Sequence, residues 1–300
     1  MIQILRSLLG GFLMGTADLV PGVSGGTIAL VIGIYERLVD SIREGSSALG
    51  AILKADVVGF RRHLGRVEWV FLVPLLVGIL TAVITLASFL AHQLEERPTI
   101  LAGLFFGLVL GSVVVAWRLL RDPKPIHLVV GAVVALILFA LLGLGDGDTA
   151  VVAPSLITYF AAGALAICAM ILPGISGSLI LLLIGMYAPV LAAVNDRDFL
   201  VVGVFALGAI VGLAIFSQVL HWALHRHHDL ILAALVGLMA GSLRVVWPWP
   251  EGVESAALGA PGDDWLTVTV AGVIGFIVVF VIARLAPSDA EEISEPLPAG

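Results

Sequence analysis

The chain has 300 residues, of which 60% are hydrophobic and 12% are charged, and its formal net charge is −7. This composition excludes a soluble globular domain and indicates a polytopic membrane protein, because no water-soluble core needs so much apolar sequence. The acidic balance offers no basic surface, so we expect no nucleic-acid partner. Cys168 is the only cysteine, which excludes a disulfide within the chain and a cysteine-based metal site.

The first predicted element is a helical hairpin at about residues 5–41. It is an apolar stretch that is interrupted at residues 21–26 by the sequence PGVSGG. Because Pro21 and the glycines after it break a helix, the stretch either enters and leaves on the same side as two half-length helices, which is a re-entrant hairpin, or crosses the membrane outright. The stretch has no small-residue cleavage site, so we do not interpret it as a signal peptide.

Uncharged runs of spanning length follow, each close to the roughly 20 residues that a helix needs to cross about 30 Å of hydrocarbon. We predict transmembrane helices at about residues 70–92, 99–119 and 126–145. The order then recurs, with a second re-entrant hairpin at about 154–194, which contains PGISGS, and spans at about 199–222, 230–247 and 265–285. Residues 287–300 form an acidic tail that we expect to be disordered.

Segments of the chain match one another at fixed spacing. Residues 15–35 (GTADLVPGVSGGTIALVIGIY) align with residues 167–187 (ICAMILPGISGSLILLLIGMY), 152 positions later. Residues 107–117 (GLVLGSVVVAW) align with residues 237–247 (GLMAGSLRVVW), 130 positions later. The repeated unit is therefore a whole half-protein, as in many secondary transporters.

We place the two repeats at about residues 1–148 and 149–286. The change in spacing is attributed to a charged loop after Tyr35, which we expect to run to about Glu68. With both hairpins re-entrant, twelve of the fifteen Lys and Arg residues lie on one side of the membrane and two on the other, against ten and four if each motif segment crossed once. The positive-inside rule favours the first arrangement.

Each half then has three spans, an odd number, so the second half is inverted relative to the first. We predict an all-α polytopic membrane protein of two inverted repeats, each a re-entrant helical hairpin plus three transmembrane helices. Both termini are expected in the cytoplasm, and the two hairpin tips could meet near the midplane of the membrane.

The tips have the chemistry of a phosphate site. Glycines allow close approach, serine and threonine offer hydroxyls, and the start of a half-helix presents amides that suit an anion. The candidate phosphate-binding residues are Gly22, Ser24, Gly25, Gly26, Thr27, Gly174, Ser176, Gly177 and Ser178, and the hairpin breaks are Pro21 and Pro173. The alternative is that both motifs are tight turns that only allow close helix packing. The first copy ends in GGT and the second in GSL, so the tips are not equivalent donors.

Two charges fall within predicted membrane segments, where ionisable groups are costly and usually functional. Asp18 has Met170 at its repeat position, so the fold itself does not require a carboxylate there. We hypothesise that Asp18 takes up and releases a proton during transport; the alternative is that it only accepts hydrogen bonds from the hairpin tip. Arg244 could contact phosphate through its fork of donors, or it could extend outward to the interface near Trp247.

Other functions fit part of the pattern. GVSG and GISG match the G-x-S-G motif of intramembrane serine proteases, but such catalysis needs a base beside the serine. All seven histidines fall in loops or at span ends, and a protease has no reason to duplicate its nucleophile. An anion channel built from inverted repeats would use the same tips, and so would a transporter of another phospholipid.

The sequence GTADLVPGVSGGTIALVIGIYERLVDSI, with its second copy LPGISGSLILLLIGMY, resembles the polyprenyl-phosphate transporter family over nearly the full chain. The resemblance implies a translocase in a bacterial cytoplasmic membrane. It would return undecaprenyl phosphate, or a related polyprenyl phosphate, from the outer to the cytoplasmic leaflet, where peptidoglycan and other envelope polymers reuse the carrier. It implies no enzyme activity, and we expect no cofactor.

Overall fold

The computed structural model describes residues 2–19, 23–143, 154–250, 252 and 258–285. In these ranges the chain folds into thirteen α-helices and contains no β-strand, which confirms the predicted all-α class. The helices are α1 (Ile2–Asp18), α2 (Gly25–Val31), α3 (Tyr35–Leu53), α4 (Val57–Arg66), α5 (Trp69–Glu96), α6 (Pro98–Trp117), α7 (Pro125–Gly143), α8 (Leu156–Ile171), α9 (Gly177–Leu183), α10 (Tyr187–Asn195), α11 (Phe199–Arg226), α12 (His228–Ser242) and α13 (Trp265–Leu285). Pro21, Gly22 and the predicted acidic tail lie outside the described residues.

Among the described residues, five helices are long and apolar enough to cross a membrane, so the chain is a multi-pass membrane protein. They are α5, α6, α7, α11 and α13, and they overlap five of the six predicted spans. The remaining span, predicted at 230–247, differs: α12 has 15 residues and ends at Ser242. After Ser242 the chain forms a tighter turn, because the amide of Val245 donates to the carbonyl of Ser242, three residues back. Helices α9 and α10 form a bent pair at 111°, which is either one broken span or a re-entrant loop.

The segment that we expected to be a charged loop is helical. It folds into α3 and α4, where the sequence analysis placed a loop from Tyr35 to about Glu68. Tyr35 and Val39, one helical turn apart, are both buried in the core, and this apolar stripe holds α3 in place despite the charges around it. Asp56 begins α4 by accepting a hydrogen bond from the amide of Gly59 at 2.8 Å, as an N-cap residue does.

Glycines bring α1 against α5 and α8 against α11. A Cβ built on Gly11 would lie 2.0 Å from the carbonyl oxygen of Leu75, and one on Gly163 would lie 2.1 Å from that of Phe205. Gly163 follows Gly11 by 152 positions, and Phe205 follows Leu75 by 130, which are the spacings of the sequence repeat. Because any side chain at these glycines would collide with backbone, they set how closely each helix pair packs.

Helices α6 and α12 each pack against a helix from the other half of the chain. A Cβ on Gly107 in α6 would lie 1.8 Å from the carbonyl oxygen of Gly272 in α13, and one on Gly237 in α12 would lie 2.4 Å from that of Gly131 in α7. Helices α6 and α12 also contact one another. The two halves are therefore interleaved, with α6 and α12 between them.

Helix α2 lies at the centre of this arrangement. All seven of its residues are buried, and it contacts α1, α3, α6, α8 and α13. The core around it includes Tyr35, Phe71, Leu75 and Met239, none of them more than 2% exposed. Large apolar side chains stay exposed along α5, α7, α11 and α13, as expected of helices that face lipid hydrocarbon.

Candidate functional site

The described part of the first motif, residues 23–26, leads into α2. Ser24 is the N-cap of α2, and its hydroxyl accepts a hydrogen bond from the amide of Gly26 at 3.1 Å. The amide of Thr27 donates to the backbone carbonyl of Ser24 at 2.9 Å. Ser24 and Thr27 are each only 1% exposed, so the described part of this break is closed.

Asp18, the last residue of α1, contacts the start of α2. Its Oδ1 accepts a hydrogen bond from the amide of Gly25 at 2.6 Å. From the sequence we expected the amides of Gly25, Gly26 and Thr27 to be free for an anion, whereas here they donate to Asp18 and Ser24. The physical reason is that the first amides of a helix have no partner within it and need one when they are buried. A Cβ at Gly25 would lie 2.6 Å from Asp18 Oδ2, so only glycine admits this contact.

The two motifs touch each other. The hydroxyl of Ser24 donates to the carbonyl of Leu172 at 3.4 Å, and the amide of Gly174 donates to Thr27 Oγ1 at 2.9 Å. These bonds join positions that are about 150 residues apart along the chain. The structure therefore brings Ser24 and Thr27 of the first break against residues 172–174 of the second.

Tyr35 adds a third link between the breaks. Tyr35 and Tyr187, which are equivalent in the repeat, begin α3 and α10. Tyr35 is 2% exposed, and its hydroxyl donates to the carbonyl of Ile171 at 3.2 Å. It is a core residue, while Tyr187 is 43% exposed.

The second motif has a different backbone and a more open surface. Gly174 adopts a φ of +84°, and a Cβ on it would lie 2.6 Å from Cα of Met239. Both observations require glycine at this turn. Beyond it, the hydroxyls of Ser176 and Ser178 lie 2.6 Å apart, and Ser178 is exposed. This break thus offers hydroxyl groups that are not enclosed.

Asp18 and Met170, which are equivalent in the repeat, occupy similar places. A Cβ on Gly177 would lie 2.7 Å from Cγ of Met170, just as one on Gly25 would meet the carboxylate of Asp18. Ser176 is the N-cap of α9, but its side chain makes no capping hydrogen bond. The carboxylate contact is therefore specific to the first break, and the two breaks are not equivalent donors.

Arg244 lies beyond the end of α12, in the turn at residues 243–246, and not within a helix as we predicted. Its guanidinium carbon is 4.8 Å from the centre of the Phe139 ring, a cation–π distance. A Cβ on Gly143 would lie 2.7 Å from an Arg244 nitrogen. Arg244 therefore packs on the end of α7.

The geometry of Ser24 does not support protease chemistry. A serine nucleophile needs a base that receives its proton. In the described part of the chain, the hydrogen-bond partners of the Ser24 hydroxyl are the amide of Gly26 and the carbonyl of Leu172, and neither is a base.

A second polar cluster, which the sequence did not predict, lies between α3 and α11. His221 and His225 face Asp40 there, and a pocket of about 440 Å³ adjoins them. The cluster was missed because α3 was expected to be a loop. The available signal was spacing, since Glu36, Asp40 and Glu44 recur every four residues, which places them on one face of a helix.

Comparison with known proteins gives two kinds of match. The model of the VCA0040-like family, described as undecaprenyl phosphate translocase-like, matches residues 14–260. A polyprenyl-phosphate transporter of Vibrio cholerae is 43% identical over 257 residues, covering 83% of this chain and 80% of the relative. A polyprenyl-phosphate transporter of Staphylococcus aureus is 32% identical over 296 residues, covering 93% of this chain and 96% of the relative. No solved structure matches this chain.

Proposed function

We propose a function from one premise, which is that the chain belongs to the undecaprenyl phosphate translocase-like family. The chain is a transporter of polyprenyl phosphate, and it is not an enzyme. We propose further that it returns undecaprenyl phosphate, or a related polyprenyl phosphate, from the outer to the cytoplasmic leaflet of a bacterial cytoplasmic membrane. The carrier is then reused for peptidoglycan and other envelope polymers.

The proposed architecture is a pair of inverted repeats, at about residues 1–148 and 149–286, each with a re-entrant hairpin. The spacing of the helix starts supports it, since α2 and α9 begin 152 positions apart and α5 and α11 begin 130 positions apart, as the sequence repeat does. The glycine contacts at the same spacings also support it. In this arrangement both termini are cytoplasmic, and so are the charged helices α3 and α4, which agrees with the positive-inside rule.

The observation that carries the proposed site is the contact between the two breaks. A lipid phosphate needs hydroxyl and amide donors for its head group, while its tail can remain in lipid. Ser24 and Thr27 lie in the closed break, and Ser176 and Ser178 in the open one. We propose that the head group first binds the hydroxyls of the open break and then crosses between the two breaks as the halves rock. The glycines of both motifs and Arg244 remain proposed contacts of this path.

Proton coupling through Asp18 is the second part of the proposal. Its carboxylate accepts a hydrogen bond from the Gly25 amide. A phosphate oxygen could accept that hydrogen bond in place of the carboxylate. A neutral carboxyl group is a weaker acceptor than a carboxylate, so protonation of Asp18 would release the amide to the substrate. Proton uptake and substrate binding would thereby favour the same state.

The test is leaflet exchange of labelled undecaprenyl phosphate in liposomes that contain the protein, with and without a pH gradient. We expect saturable exchange that responds to the gradient in the wild type and no response to the gradient in Asp18→Asn. The matched control is Asp263→Asn, which removes an exposed carboxylate before α13 and should behave as the wild type.

Three results would contradict parts of this proposal. Exchange in Asp18→Asn with unchanged pH dependence would exclude the proton role. Exchange of labelled phosphatidylglycerol in place of undecaprenyl phosphate would assign another phospholipid substrate. Chloride flux without lipid exchange would make the protein an anion channel.

A further inference from the structure

Helices α3 and α11 bring a carboxylate and two imidazoles together, away from the paired breaks. Nδ1 of His221 lies 2.5 Å from Oδ1 of Asp40. His225 follows one turn later on α11, and the two imidazole rings stack with centroids 4.0 Å apart and planes inclined by 36°. The cluster joins the first half of the chain, through α3, to the second half, through α11.

The hydrogen bonds fix which nitrogen of each ring carries the proton. Nδ1 of His225 lies 3.0 Å from the backbone carbonyl oxygen of His221, and Nδ1 of His221 faces the Asp40 carboxylate. A carbonyl or carboxylate oxygen only accepts, so each Nδ1 must donate. Both neutral rings therefore keep a lone pair on Nε2.

This is the arrangement that metal-ligating histidines have. Such a histidine almost always donates its other ring nitrogen to a carboxylate or a backbone carbonyl, which orients the ring and raises the basicity of the ligand. Two histidines four residues apart on one helix are a recurring zinc-binding pair. Asp40, His221 and His225 each offer a ligand atom, and these atoms all lie within 4.8 Å of one another.

We propose that Asp40, His221 and His225 form a binding site for a divalent transition-metal ion, with Zn²⁺ as the best fit. Imidazole nitrogen and carboxylate oxygen are donors that Zn²⁺ accepts readily, and Co²⁺, Ni²⁺ and Cu²⁺ are the competing ions of the same class. Mg²⁺ and Ca²⁺ prefer all-oxygen ligands and do not suit this set. The two imidazoles supply ligand atoms and Asp40 orients His221, so water or an anion completes the coordination.

The charges around the cluster are compatible with a bound cation. Arg43 and Arg226 line the same pocket of about 440 Å³, and two guanidinium groups alone would repel a metal ion. Arg43, however, is paired with the carboxylate of Glu44 at 3.0 Å, and Asp40 adds a further negative charge. The pocket also admits the water or anion that completes the coordination.

The test is metal binding by the full chain, purified in detergent without a histidine tag and stripped with a chelator. Titration with Zn²⁺ in a calorimeter should show one ion bound per chain, and Co²⁺ should give the strong visible absorption of a four-coordinate site. His221→Gln and His225→Gln should abolish this binding. Asp40→Asn should weaken it by about 10–100-fold, as loss of an outer carboxylate partner does.

The control is His92→Gln. His92 pairs with Glu96 one turn away on α5, at 3.3 Å, and both side chains are exposed, so this variant removes a comparable histidine–carboxylate pair elsewhere. It should bind Zn²⁺ as the wild type does. The proposal is overturned if the wild type binds no stoichiometric Zn²⁺, or if His225→Gln binds it unchanged. His225 is exposed, so an unaltered melting temperature of that variant without metal will show that its fold is intact.

Discussion

At the residue scale, a single side chain makes the two breaks chemically different. Asp18 and Met170 occupy equivalent places beside Gly25 and Gly177, yet only the first can accept a hydrogen bond from an amide. The sequence alone indicates this difference, because the repeat alignment pairs the two residues. It does not indicate that the Asp18 carboxylate already holds the Gly25 amide, since that depends on how the chain folds back between α1 and α2.

One of the hydrogen bonds between the breaks, from the Gly174 amide to the Thr27 hydroxyl, can be removed by a substitution that keeps the shape of the side chain. In Thr27→Val, the amide of Gly174 loses its acceptor in a buried place, and an unsatisfied buried group costs about 1–3 kcal/mol. We expect a lower melting temperature in detergent for this variant, and near-normal behaviour for Thr27→Ser, which keeps the hydroxyl.

The matched control for this prediction is Thr269→Val, where an exposed hydroxyl bonds the carbonyl of Trp265 within one helix. Its effect should stay within about 0.5 kcal/mol. Equal melting temperatures for Thr27→Val and Thr269→Val would show that the contact between the breaks does not stabilise the fold.

At the element scale, glycines set the distance between packed helices. In Gly107→Ala, the new methyl group would meet the carbonyl of Gly272 at 1.8 Å, and in Gly237→Ala it would meet that of Gly131 at 2.4 Å. Overpacking of this kind typically costs about 1–3 kcal/mol, so both variants should melt earlier than the wild type.

Gly203→Ala provides the control for this pair. Gly203 also lies within a helix, but nothing lies within 4 Å of a Cβ placed there. Alanine should be neutral or stabilising at that position because it favours the helix. If Gly107→Ala melted at the same temperature as Gly203→Ala, this result would contradict the close packing of α6 on α13.

The helices could be predicted from the sequence to different degrees. Long uncharged runs placed α5, α6, α7, α11 and α13 well, because hydropathy and spanning length act together there. Helices α3 and α4 were missed because their charges hid the buried stripe that includes Tyr35 and Val39. The early end of α12 at Ser242 was missed because its apolar run continues through the turn to Trp247.

At the scale of the whole molecule, the two breaks differ in how accessible they are. Ser24 is 1% exposed, whereas Ser176 is partly exposed. In a Cys168→Ala background, a small thiol reagent should therefore label Ser176→Cys faster than Ser24→Cys in this state.

Adding substrate should change the ratio of the two labelling rates if the halves rock, and membrane-impermeant reagents should reach the two positions from opposite sides. Labelling of both positions from one side only, with and without substrate, would contradict the inverted-hairpin arrangement. Equal rates for the two cysteines would contradict the closed first break.

The sequence repeat predicted which segments correspond, but it could not predict how the halves combine. Matching motifs at spacings of 152 and 130 residues are visible in the sequence. That the hydroxyl of Tyr35 reaches Ile171, and that Gly107 packs on Gly272, depends on contacts between distant segments. No local pattern encodes such contacts, so the sequence predicted that the two tips could meet but not which atoms join them.

The exchange of partners between halves has a consequence for biosynthesis. Helix α6 packs against α13, and α7 packs against α12. Because α6 and α7 leave the ribosome first, they enter the membrane with their glycine faces uncovered. A nascent first half is then an incomplete folding unit that is open to degradation or to pairing with another nascent chain. The packing is complete only when the last helix arrives, so the time taken to translate the second half sets how long the first half stays without its partners.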